Sequence, residues 1–377
     1  MNRRRFLRGT AAIGAVGTAG IAGCLERLGF EEESALANPP LVENRPDAVY
    51  LPASSEEMGM YGSATDGDYA VALSYTFPHR FWTVEATSDG KQLVEVEADD
   101  SLHLMATLWD RETGTVLPVD MRIEIRQDGS PIDGGTLSPW PMISQRMGFH
   151  YGDNVRLPGE GEYTIHVRAG PVTLDRVGAF EDRLDSAASL AIDFEYVRSD
   201  INGLSFDSIE PDRRGSPDAL PLMNHGEGGH SGNESGNGDG GSGHVPTGQA
   251  PKIENLPGDH LGTERSGDAK IPLIATDADR FTDDGTYLAV SPRTPYNDII
   301  LPFTSLSASV ERDGSTLRKG SLTETLDGEF GHHYGLEVDE LTDGDRVTVL
   351  IDSPPQVSRH DGYETAFFEF EALTYTV

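Results

Sequence analysis

The sequence predicts an all-β protein: two Ig-like antiparallel β-sandwich domains joined by a disordered Gly/Ser/His-rich linker. Three observations carry that expectation. Short segments alternate apolar and polar residues, and no sustained helical periodicity follows residue 45. The tract "NHGEGGHSGNESGNGDGGSGHVPTG" holds almost nothing to bury and separates two runs of ordinary domain size. Five blocks of the first run recur, in order, in the second.

The strands come from period-two alternation, which sends every second side chain to one face. In the first run they are "DYAVALSYTF", "KQLVEVEA", "SLHLMATLWD", "MRIEIRQDG", "GEYTIHVRAG" and "SLAIDFEYV", with turns at "DRETG", "RQDGS" and "PGEGEY". The second run supplies "AKIPLIAT", "TYLAVSP", "SLSASVERDG", "DRVTVLID" and "ETAFFEFEAL".

The recurring blocks pair "GSATDGDYAVAL" with "GTERSGDAKIPL", "RFW" with "RFT", and "VLPVDMRIEIRQDGS" with "ILPFTSLSASVERDGS". The fourth pairs "GFHYGDNVRLPGEGEYTIHV" at 148–167 with "GHHYGLEVDELTDGDRVTVLI" at 331–351, and the fifth "AIDFEYV" with "FFEFEAL". This order reads as two divergent copies of one domain. The pentapeptides "GFHYG" and "GHHYG" then read as one corner used twice, with Gly allowing close approach and Tyr-Gly turning the chain.

The N-terminus, "MNRRRFLRGTAAIGAVGTAGIAGC", carries a twin-arginine pattern and a Gly/Ala-rich stretch too short to span a bilayer. It ends in a sequence that resembles a lipobox, with Cys24 as the lipidation site and the only cysteine of the chain. The expected organisation is a Tat signal over 1–24, a tether over 25–45, a first domain over 46–200, a flexible linker over 201–258 and a second domain over 259–377. That implies an exported lipoprotein anchored to the membrane by lipid, with no thiol left for disulfides.

The net charge of −34 repels nucleic acid, whose phosphates need Lys and Arg contacts. It reads first as salt adaptation, pointing to a halophilic, archaeal-type host. No G-x-S-x-G elbow, P-loop or H-E-x-x-H motif occurs, so the expectation is a binding protein and not an enzyme.

The first domain concentrates soft and borderline metal ligands. His103 and Met105 lie two apart on one strand and share a face. Met142, Met147 and His150 follow in "WPMISQRMGFHYG", and Glu57, Met58 and Met60 precede them in "EEMGMYG". Imidazole and thioether suit copper better than calcium or magnesium, and a nearby carboxylate would admit Fe²⁺. Each of these residues taken singly also fits a structural role, methionine as core filler and histidine as a hydrogen-bonded strand residue.

At these segments the chain resembles a family of periplasmic iron-transport components that bind copper and iron on an Ig-like fold. The likeness runs over roughly residues 46–200: "VYLPASSEEMGM", His103-Leu104-Met105-Ala106, Pro141-Met142-Ile143, and His150-Tyr151-Gly152-Asp153-Asn154-Val155. It implies His103, Met142 and His150 as metal ligands, Fe²⁺ or copper as the ion, and an iron permease as partner; dimerisation is left open. The sequence departs at Met105, where the family has an acidic residue, and lacks the family's late His, for which His79 or Met147 could substitute.

The second domain offers less. Tyr287 takes the place of His103, and no methionine follows Met223. His333 and His360 are weak candidates for a second site; alternatively, His360 completes the first domain's site across an interface. The linker's His225, His230 and His244 suit loose cation capture or a plain spacer, and His166 reads as structural. The rival to metal binding is a surface Ig-like module for adhesion or envelope scaffolding. Geometry separates the two: ligands must converge on one point, whereas core residues need not.

Overall fold

The computed structural model describes residues 39–85, 87–223 and 245–377. The signal segment, Cys24, tether residues before 39 and the linker histidines His225, His230 and His244 lie outside the described residues. Among the described residues, no helix is long and apolar enough to cross a membrane.

The chain is all-β, as the alternation predicts, and forms two sandwiches. The N-terminal one packs a large sheet against a four-stranded sheet ordered Ala188–Tyr196, Gly161–Ala169, Met121–Gln127, Ser130–Leu137. The large sheet begins Gly59–Asp66, Tyr69–Thr76, Leu102–Asp110, Gly148–Val155, Trp140–Ser144. The C-terminal sandwich repeats this order. One sheet runs Asp259–Ser266, Ala269–Thr276, Thr286–Val290, Gly331–Val338, Thr323–Asp327, and the other Leu373–Thr376, Arg346–Ser353, Ser305–Arg312, Ser315–Ser321. Even the irregularities correspond: the register shifts between Met60 and Gly62 and between His260 and Gly262. Tyr151 and Tyr334 reach across the core in the same way, accepting the backbone N–H of Val119 (2.7 Å) and Thr304 (3.0 Å).

The sandwiches exchange strands. Asp175–Arg176, from the N-terminal half, pairs in parallel with Thr325 and Leu326 and extends the C-terminal sheet. Ser358–Arg359, from the C-terminal half, pairs in parallel with Met142 and Ile143. It thereby joins the N-terminal sheet to Phe81–Glu85 and Thr87–Val94. Both bridges sit at the same relative sheet position, so the halves meet about a pseudo-twofold relation. They share one hydrophobic core cluster, running from Val49 through Ile143 and Phe149 to Tyr363 and Tyr375.

Three expectations are corrected. His-Tyr-Gly is not a corner: it lies within a strand in both halves, and the turn comes just before it, the strands opening on Gly148 and Gly331 at φ 74° and 65°. The run "ETAFFEFEAL" is not a strand over most of its length, because Tyr363, Ala366 and Phe367 are buried in the shared core; pairing resumes only at Leu373–Thr376. The described flanks of the expected linker are packed. Phe206–Ser208 pairs with Ser54–Glu56, and Thr247 accepts the backbone N–H of Phe149 at 3.0 Å.

Candidate metal centre

Two kinds of burial distinguish the sheets. Ala188–Tyr196 alternates strictly between buried and exposed, as a strand with one solvated face should. Tyr69–Thr76, Leu102–Asp110 and Gly148–Val155 are buried on nearly every residue. Their core face carries Leu104, Ala106, Phe149 and Tyr151. The opposite face carries His103 and Met105, then Gly152 and His150 on the next strand, then Met142 beside His150. Ser358 pairs with Met142, and His360, two residues on, follows on the same face.

This register gathers three imidazoles. One ring nitrogen from each of His103, His150 and His360 lies within 4.8 Å of the others. His103 and His150 are wholly buried and His360 is half-buried. His79 packs against His103, with ring centroids 4.1 Å apart and planes tilted by 40°, and its ring lies 4.8 Å from that of His360.

Hydrogen bonds fix which nitrogen is free. His150 Nδ1 lies 3.1 Å from the carbonyl of Gly148, which can only accept, so Nδ1 carries the proton. Asn154 Nδ2 donates to the carbonyl of His79 at 3.0 Å, which leaves its Oδ1 to accept from His103 Nδ1 at 2.9 Å. The Nε2 atoms of His103, His150 and His360 are all buried without a hydrogen-bond partner. An unpaired buried polar atom costs about 1–3 kcal/mol, so three at one place is a large unmet demand. A metal ion meets it: neutral imidazole with Nδ1 held by a neighbour is the usual ligand form. Bonds of about 2.1 Å would draw the nitrogens inward by roughly an ångström.

Gly152 keeps the centre open. A Cβ there would stand 2.7 Å from His103 Nε2 and 3.0 Å from Met142 Sδ, so both donors border the space it leaves. Burial holds the pKa of His79 and His150 down to about 4 and that of His103 and His360 well below the usual value, so all four are neutral near pH 7.

The remaining candidates take varied positions. Met105 and Met58 line a pocket of about 100 Å³ beside His79 and His360. Met147 is buried next to the Gly148 turn, and Met60 is exposed on the edge strand. Glu57 is not a neighbour of the centre in the sense expected: its carboxylate accepts the backbone N–H of Ser205 at 2.8 Å, while Glu56 lines the pocket. Burial raises the pKa of Glu56 to about 8. Sequence reasoning missed Gly152 and Asn154, although both stand in the matched "HYGDNV" segment.

The C-terminal half builds no counterpart, and the register explains why. Tyr287 replaces His103, Thr325 replaces Met142, and Val177 replaces His360. Only His333 persists, and its Nε2 meets the Tyr287 hydroxyl at 3.1 Å inside a box of Phe281 and Phe330. That hydroxyl fills the space kept open by Gly152 in the first half: a Cβ on Gly335 would lie 1.6 Å from it. His333 and His360, the candidates for a second site, are thus placed apart: His333 Nε2 meets Tyr287, and His360 lies with His103 and His150.

The fold and its histidines define a β-sandwich with a candidate metal centre on one buried sheet face. Residues 57–197, which fall in the N-terminal sandwich, match the family described as Fe²⁺ transport protein. Residues 254–376 match a different family, described as a domain of unknown function (DUF7350). No curated protein matches the chain. Among solved structures, a copper-bound variant of FetP from uropathogenic Escherichia coli strain F11 is 18% identical, with 37% of this chain and 98% of that one covered and a TM-score of 0.29. The as-isolated FetP of that strain, expressed in the periplasm of E. coli BL21(DE3), is 17% identical, with 37% and 97% covered and a TM-score of 0.28.

Proposed function

We propose that the protein is an extracytoplasmic, lipid-anchored component of Fe²⁺ transport that binds its ion, Fe²⁺ or copper, through His103, His150 and His360, with Met142 as thioether ligand. It catalyses no reaction, and it passes its ion to a membrane permease. The observation that carries this reading is three histidines that each bring one ring nitrogen within 4.8 Å of the others and each bury an unpartnered Nε2. The family match over 57–197 supplies the transport context. The N-terminal sequence, with twin arginines and Cys24, supports export and anchoring.

The test is metal analysis of the purified full chain, offered Fe²⁺ and Cu⁺ separately. The reading expects one ion per chain in the wild type and none in His103→Ala or His150→Ala. Equal, negligible metal in all three would leave the adhesion or scaffolding reading in its place.

A further inference from the structure

We infer that Arg80 and Asp361 are positioning residues that latch His360 into the metal centre and set how fast the ion leaves. This inference rests on the metal reading above. Each member of the pair directly follows an imidazole of the cluster, His79 in one sandwich and His360 in the other. The guanidinium grips the carboxylate as a fork, with Nε to Oδ1 at 3.2 Å and Nη2 to Oδ2 at 2.6 Å. The Arg80 side chain is 8% exposed and that of Asp361 21%, so the pair is shielded from water and from salt screening.

The segment's backbone is fastened on both sides and at His360 itself, whose N–H donates to the Ile143 carbonyl at 3.3 Å, but none of these bonds holds the ring. Before it, Ser358 and Arg359 pair with the sheet. After it, the Tyr50 N–H donates to the carbonyl of Gly362 at 3.1 Å, and Glu364 accepts from Arg45 and from the Tyr50 hydroxyl. Arg80–Asp361 is the ion pair adjacent to the ligand itself. It lines the 100 Å³ pocket with His360, whereas the wholly buried His103 and His150 are not among the pocket's lining residues. An ion leaving by the pocket passes His360 first.

The other half supplies an internal comparison. Counting two residues on from the bridging strand gives Asp361 here and Gly178 there. Arg280, at the position of Arg80, pairs within its own sandwich with Asp327, at 2.7 and 3.1 Å. The cross-domain form of this pair therefore accompanies the half that has the imidazoles. A structural fastening required by the fold alone would be expected in both.

The test loads the full chain with Cu⁺ and follows its release to an excess of chromophoric chelator. Arg80→Ala and Asp361→Asn should release about tenfold faster than wild type, and Arg80→Lys, which keeps charge but loses the fork, should fall between. In a His360→Ala background, Arg80→Ala should add nothing. Arg80→Lys and Asp361→Asn carry the test if Arg80→Ala unfolds, as circular dichroism would show. Wild-type release rates in the folded variants, or equal acceleration with and without His360, would overturn the latch. A wild type that takes up neither Cu⁺ nor Fe²⁺ would instead remove the metal reading beneath it.

Discussion

His360 belongs to the C-terminal sandwich, yet its ring stands 5.7 Å from that of His103 in the N-terminal one, at 87° between ring planes. The candidate centre is thus completed from outside the domain that carries the family match. His360→Ala should weaken Cu⁺ binding by roughly 100-fold, the scale of a lost ligand worth about two to three kcal/mol. A competition titration against a chelator of known affinity measures this. Unchanged affinity would remove His360 from the ligand set.

Gly152 is the position where backbone freedom matters least and empty space most. A Cβ there would meet His103 Nε2 at 2.7 Å and Met142 Sδ at 3.0 Å, so Gly152→Ala must push one donor aside. The expected result is a folded protein, destabilised by about 1–3 kcal/mol, whose metal affinity is lost. Thermal melts and a metal titration on the same sample separate the two effects; full affinity in Gly152→Ala would show that the donors do not use this space.

Asn154 sets the tautomer of His103 while tying down the His79 segment. Asn154→Leu removes the acceptor for Nδ1–H and should cost about 10–100-fold in metal affinity, whereas Asn154→Asp keeps the acceptor and should cost much less. Equal losses in both variants would argue for a packing role only.

Acid should destabilise the metal-free protein in a defined window. His79 and His150 titrate near pH 4 when folded and near 6.5 when unfolded, because burial disfavours the charged ring. Between those values the unfolded chain binds more protons. Stability is therefore fully present above pH 6.5 and lost as pH falls toward 4, by about 2 kcal/mol per imidazole at pH 5. Thermal unfolding across pH 4–8 should show this slope, and His150→Gln should reduce it. An identical slope in His150→Gln would contradict the assignment.

Much of the fold is legible because alternation marks half-buried strands: "SLAIDFEYV" and "MRIEIRQDG" form strands almost where the pattern puts them. Strands buried on both faces are harder to read. Gly148–Val155 resembles a corner in sequence, since its glycines suggest a turn and its outer face, carrying His150 and Gly152, has no polar alternation. His103, His150 and Met142 are legible from residue type and from the family resemblance. The role of His360 is visible only as one arrangement among several, because no local spacing encodes a strand exchange between domains. Arg80 and Asp361 give no signal in a chain with 63 acidic residues, where one carboxylate carries little information.

The central claim is that one ion sits between His103, His150 and His360. Anomalous diffraction at the copper edge, from crystals of the full chain loaded with Cu⁺, tests it most directly. The account predicts a single strong peak per chain within bonding distance of those three Nε2 atoms, and none beside His333. A peak elsewhere, or no peak at the three nitrogens, would contradict it.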